Sequence, residues 1–271
     1  MYAGRPSYNM HHSKIMNLKP RLSSDGKLTT TDRGWILSIP AGSTNRYRLS
    51  QLDDHLGLPR SRYPCWPPMK LRLEARASAA DLPGTWGFGL WNDPYGFSFA
   101  PGNGFLRLPA LPNAAWFFHS SPVSYLSFRD DTPANGFLAQ VFASPRFDAN
   151  LVRAGLTLPF SMIRARRLLA RVISEESASL DGASDSIRPA ERLDVTQWHV
   201  YALEWSSARI RFVVDNVCVL DTPLSPRPPL GVVIWIDNQH AGFNPQGKLS
   251  FGLEPNPQPA WLEIRDLNTE R

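Results

Sequence analysis

"QWHVYALEWSSARIRFVVDNVCVLDTP", Gln197 to Pro223, is the stretch on which the fold turns. Successive side chains of an extended chain point to opposite sides. Val200, Ala202 and Glu204 therefore share one face, and His199, Tyr201, Leu203 and Trp205 the other. A second apolar run, "RIRFVV", meets Asp215-Asn216, a pair that tolerates the left-handed backbone of a tight hairpin turn, and "VCVLDT" returns. The pattern predicts antiparallel strands on short turns, with Glu204 and Asp215 serving the sheet rather than a reaction.

The same period of two recurs along the chain. In "MKLRLEARASA", Met69, Leu71, Leu73 and Ala75 point one way and Lys70, Arg72, Glu74 and Arg76 the other, as in a strand with one wet face. In "GTWGFGLWND", Trp86, Phe88 and Leu90 alternate against Gly87, Gly89 and Trp91, and glycines in a strand mark close approach by another backbone or a ligand. "GWILSIPAG", "RYRLSQL", "AAWFFHSS", "SYLSFRD", "GFLAQVFAS", "LGVVIWIDN", "KLSFGLE" and "AWLEIRDL" add further strands bounded by Gly, Pro, Asn and Asp. Many short strands with such punctuation define an all-β, antiparallel jelly-roll sandwich. It is expected to fill residues 31–271 as a single domain after a flexible segment over 1–30.

One segment, at about 148–180, reads as a helical insertion. After Pro159, Met162, Ala165, Leu169, Val172 and Ile173 form an apolar stripe, while Arg164, Arg167 and Arg171 face elsewhere. Two readings stand: a crossover helix packed on the sandwich with a solvated basic face, or a lid over the binding face, its arginines open to an acidic partner.

The hairpin resembles the signature of the family 16 glycoside hydrolases, a branch of the concanavalin A-like jelly rolls, at Trp198, Tyr201, Glu204, Trp205, Asp215 and Asn216. "KLRLEARASAADLPGTWGFGLWND" and "AWLEIRDLNTER" are similar to two more parts of that plan. The resemblance implies the sandwich and a carbohydrate ligand. Activity in that family needs a Glu-x-Asp-x-Glu strand, whose alternate carboxylates meet on the face toward the sugar, one as nucleophile and one as acid and then base. This chain contains no such run. "SYLSFRDD", the strand expected in the catalytic place, alternates Ser124, Leu126 and Phe128 with Tyr125, Ser127 and Arg129. Neither set performs two-carboxylate chemistry.

Two hypotheses follow. In one, the chain is a non-catalytic or diverged sandwich whose cleft, with Leu126, Phe128, Trp116 and Phe118, holds a carbohydrate or a small apolar ligand. In the other, it is a β-glucan hydrolase with displaced acids: Asp131, reaching back from the Arg129-Asp130-Asp131 corner, and Asp237, with Glu74 as an alternative partner. Trp235 beside Asp237 suits a sugar, the ring stacking and the carboxylate accepting hydroxyls, and it suits core packing equally. Trp91, with Asn92, Asp93 and Tyr95, reads as a ligand rim. Arg129, His240 at the mouth of its strand, and His119 complete the polar candidates.

Composition bounds the rest. A net charge of +5, with its arginine excess gathered near Arg164–Arg171, carries no nucleic-acid module, and none is expected to bind. No run approaches the roughly 18 apolar residues of a membrane helix. The N-terminus lacks the apolar core of a secretory signal, so a cytoplasmic location is expected. Cys65 and Cys218 carry no disulfide framework and are expected as free, buried thiols. His11-His12 has no flanking ligands. With no metal-ligand spacing, phosphate loop or nucleophile elbow, neither a metal nor a cofactor is expected.

Overall fold

The computed structural model describes residues 16–23, 25–94, 110–145, 162–181, 193–246 and 248–271. In chain order the elements are β1 (Lys19–Leu22), β2 (Lys27–Thr30), β3 (Gly34–Ile39), β4 (Leu49–Asp53), β5 (Met69–Ala77), β6 (Thr85–Trp91), β7 (Ala114–Ser120) and β8 (Gly136–Ala143). Helix α1 (Met162–Val172) follows, then β9 (Ser174–Ser179), β10 (His199–Trp205), β11 (Ile210–Val214) and β12 (Val217–Thr222). β13 (Gly231–Asp237), β14 (Gln239–Phe243), β15 (Leu249–Leu253) and β16 (Ala260–Glu270) complete it. Two seven-stranded sheets result, ordered β1-β4-β13-β6-β7-β8-β9 and β12-β11-β10-β5-β16-β3-β2, with β14-β15 as a separate ribbon. The named pairings within them are antiparallel. This is the all-β jelly-roll sandwich that the alternation predicts.

Alternation is realised residue by residue. Leu71, Leu73 and Ala75 of β5 are buried, with Tyr201, Leu203 and Trp205 of β10 beside them. They meet Trp86, Phe88 and Leu90 of β6, Phe117 of β7 and Val232, Ile234 and Ile236 of β13 from the other sheet. Phe117 sits at the centre, 5.0 Å from Tyr201 and 5.2 Å from Phe212 by ring centroid, both edge-on. Each such large apolar side chain contributes about 1.5–3 kcal/mol on burial. This inter-sheet layer is what holds the sandwich closed.

The hairpin β11–β12 turns on Asp215 and Asn216 at φ 48° and 67°. Asp215 also accepts from the Val200 amide at 2.8 Å and pairs with His199 Nδ1 at 2.6 Å. Glu204 lies between Lys70 at 3.0 Å and Arg211 at 3.1 Å. Both acids serve the sheet. Cys65 is free and buried; Cys218 is free but exposed on β12 rather than buried.

Three expectations need correction. The segment 1–30 is not uniformly loose: β1 and β2 close one edge of each sheet. The helical insertion ends early, because residues 174–179 pair with β8 as an edge strand; serine is a poor helix former, and the open edge supplies backbone partners. "SYLSFRD" is not a strand. It forms an isolated bridge, Tyr125 to Gly242, and its Leu126 amide donates to the Ala134 carbonyl at 2.9 Å, but no ladder follows. Ser127 Oγ accepts from the Arg129 amide at 3.0 Å and pairs with Thr132 Oγ1 at 2.7 Å, local bonds that compete with a ladder. His11, His12 and Tyr95 lie outside the described residues. Among the described residues, no helix is long and apolar enough to cross a membrane.

Candidate functional site

The outward face of the first sheet can be read row by row from its register. One row runs Arg21, Gln51, Trp235, Gly87, Phe118, Leu138 and Ser179, strand by strand. The next runs Lys19, Asp53, Val233, Gly89, Trp116, Gln140 and Ser177. Trp91 begins a third with Ala114, Phe142 and Glu175. At the opposite end, Asp237 stands with Leu49, Thr85 and Ser120.

The two strand glycines lie where the indoles need room. A Cβ on Gly87 would lie 2.9 Å from Trp235 Cη2 and 2.4 Å from the Phe117 carbonyl oxygen; one on Gly89 would meet Trp116 Cβ at 2.7 Å. Into this space Trp91, Trp116 and Trp235 gather as a triangle, with centroids 6.2, 5.8 and 6.3 Å apart around it. Trp91 and Trp235 are within 4° of parallel. Phe118 extends the group, 5.5 Å from Trp116 and 5.6 Å from Trp235.

Each indole N–H is satisfied. Trp116 Nε1 donates to Gln140 Oε1 at 3.1 Å, and Gln140 Nε2 donates to Glu175 Oε1 at 3.0 Å. Trp235 Nε1 donates to Thr85 Oγ1 at 2.9 Å, and that hydroxyl donates to Asp237 Oδ1 at 2.8 Å. Trp91 Nε1 donates to His55 Nε2 at 3.1 Å. Burial lifts the carboxyl of Asp237 to about 6, partly offset by hydrogen bonds from Thr85, Gln239 and Tyr47. Glu175 is raised for the same reason, with the Phe128 amide, Ser127 and Gln140 opposing.

The cluster is largely covered. Trp116, Phe118 and Trp235 are 7, 4 and 8% exposed, under Leu126 and Phe128 from the 121–135 loop and Leu169 and Ile173 at the end of α1. Trp91 remains half-buried. The helix therefore lies over this face, with Arg167 and Arg171 exposed and Arg166 buried. Arg166 pairs with Asp130 at 2.7 Å and reaches the Arg129 carbonyl at 3.3 Å, binding helix to loop.

The predicted residues separate into two groups. Trp91, Trp116, Trp235 and Asp237 come together on one face. Arg129 and Asp131 do not: they pair with each other at 2.8 Å in an exposed turn, and the guanidinium holds the Asp131 carboxyl below its ordinary value. Asp131 caps its own corner and does not reach back toward Asp237. Glu74 is on the other sheet, paired with Arg265 at 2.6 Å. His240 sits on the β14–β15 ribbon against Gly252. His119 points between the sheets and stacks on Trp86 at 5.4 Å, so it is a core histidine.

Sequence reasoning missed Tyr47, His55, Thr85, Gln140, Glu175 and Glu254. Gln140 had a signal, a polar residue on an otherwise apolar face of "GFLAQVFAS"; His55, in a loop, had none. Glu254 Oε1 accepts from the Gly84 amide at 3.0 Å, and Asp237 Oδ1 from the next amide, Thr85, at 3.3 Å. The two carboxyls are thus within about 10 Å of each other. Strand spacing sets the backbone of Asp237 about 28 Å from that of Glu175, six residues along and four strands across, and about 14 Å from that of Asp53, beyond the ~5–9.5 Å of a glycosidase pair. Among the described residues no group of three metal-ligating side chains forms.

No protein-family model and no curated protein matches this chain. Similar solved structures include LamAcat from Zobellia galactanivorans, 12% identical over 90% of this chain and 80% of that one, with a TM-score of 0.45. A legume lectin-like domain from Entamoeba histolytica is 11% identical over 93% and 89%, with a TM-score of 0.44. The Crh5 transglycosylase in complex with NAG is 10% identical over 96% and 80%, with a TM-score of 0.46. The likeness is one of sandwich architecture, and it leaves the choice between binding and catalysis to the residues of this chain.

Proposed function

We propose that this protein is a non-catalytic β-sandwich that binds a carbohydrate or small apolar ligand at the tryptophan face, entered at Trp91. One observation carries the reading: three indoles converge on the outer face of one sheet, and the acids beside them are already engaged. Asp237 accepts from Tyr47, Thr85 Oγ1, the Thr85 amide and the Gln239 amide. A carboxylate has about four acceptor sites, so little is left for a substrate oxygen. Trp91 offers an indole face, and its polar edge is tied back to His55.

A second reading keeps hydrolysis. Asp237, with its carboxyl near 6, suits a general acid, and Glu254 is a carboxylate within reach of the same backbone. The experiment is isothermal titration with laminaritriose and laminaritetraose, the ligands named for one similar structure, beside a reducing-sugar assay on β-glucans. Binding without turnover supports the module; turnover lost in Asp237→Asn and Glu254→Gln supports the enzyme.

A further inference from the structure

Trp91 is held by a buried polar chain that the binding face itself does not need. It is the last residue of β6, and its indole N–H can only donate. The acceptor is His55 Nε2 at 3.1 Å, in a ring with no solvent exposure, packed at 4.5 Å on Tyr63. Accepting at Nε2 places the imidazole proton on Nδ1, which faces Asp54 Oδ1 at 3.4 Å. The Asp54 carboxylate is itself fixed: Oδ1 accepts from the Val232 amide at 2.8 Å and Oδ2 from the Cys65 thiol at 3.6 Å. Gly231 leaves the space, since a Cβ there would lie 2.3 Å from His55 Nδ1. The chain runs from backbone to carboxylate to imidazole to indole, and each link has one workable direction.

We propose that Asp54 and His55 are positioning residues that set the plane of the Trp91 indole, parallel to Trp235 on the binding face. The consequence for ligand rests on the function proposed above, but the orientation itself does not. His55 orients the ring in place of the rotamer freedom that a half-buried indole otherwise keeps. A histidine that only filled space would be replaced by phenylalanine without effect on the ligand.

Two measurements separate the claims. In ¹⁵N-labelled protein, a scalar coupling across the hydrogen bond between Trp91 Nε1 and His55 Nε2 is expected, and it vanishes in His55→Gln; an uncoupled Trp91 Nε1 in the wild type overturns the inference whatever the ligand does. With laminaritriose as probe, His55→Phe, which has no acceptor, weakens binding about tenfold, while His55→Gln, whose carbonyl accepts, restores it to within about threefold. In a Trp91→Phe background His55→Phe has no further effect. Equal losses in both backgrounds make His55 merely structural and overturn the proposal. A wild-type protein that shows the coupling but binds no sugar fails the proposed function and leaves the positioning intact.

Discussion

Asp237 is where residue chemistry is most exposed to test. Its carboxyl sits near 6 because burial disfavours the charge more than four hydrogen bonds recover it. A folded-state value raised above the unfolded one adds stability that is complete below about pH 4 and lost as pH rises through 6. Urea unfolding across pH should therefore show the wild type losing up to about 3 kcal/mol relative to Asp237→Asn between about pH 4 and 7. Parallel curves for the two proteins contradict the burial. Gly87 offers a second residue-scale test: Gly87→Ala drives a methyl against the Trp235 ring and the Phe117 carbonyl. A loss of about 1–3 kcal/mol in denaturant midpoint is expected, with weaker ligand binding from a displaced Trp235.

At the scale of elements, the strands are legible wherever one face is apolar and the other is not. β5, β6 and β13 follow their alternation to the residue, and so does the turn at Asp215-Asn216, because burial on one side fixes register and φ > 0 demands a tolerant pair. The loop 121–130 defeats the same rule: its alternating letters are overridden by Ser127, which bonds to its own neighbours. Half of the candidate site is legible as Trp91, Trp116, Trp235 and Asp237, since they alternate on predicted strands. His55, Tyr47 and Glu254 enter from loops and turns, whose destination depends on tertiary packing. Which of two roles the helix plays is also beyond the sequence; the Arg166–Asp130 pair joins it to the covering loop. Arg166→Met should raise amide exchange over 125–131 and 162–172 about tenfold or more while β13 keeps its protection, as measured by mass spectrometry. Unchanged exchange in both segments shows that apolar contacts alone hold the cover.

For the whole molecule, the two sheets divide the work. The sheet β12-β11-β10-β5-β16-β3-β2 turns a ladder of ion pairs outward, including Glu204 with Lys70 and Glu74 with Arg265. The other sheet carries a second apolar layer on its outer face, in which indoles stand over strand glycines beneath a helix and a loop. On the function proposed above, this aromatic face, whose acids are spent on structural hydrogen bonds, serves contact rather than bond cleavage. The most direct measurement is titration of the wild type with laminaritriose, run beside the reducing-sugar assay and repeated with Trp91→Ala. The account predicts saturable binding, weakened about tenfold or more by the substitution, and no release of reducing ends. Turnover that disappears in Asp237→Asn, or sugar binding indifferent to Trp91, would contradict it.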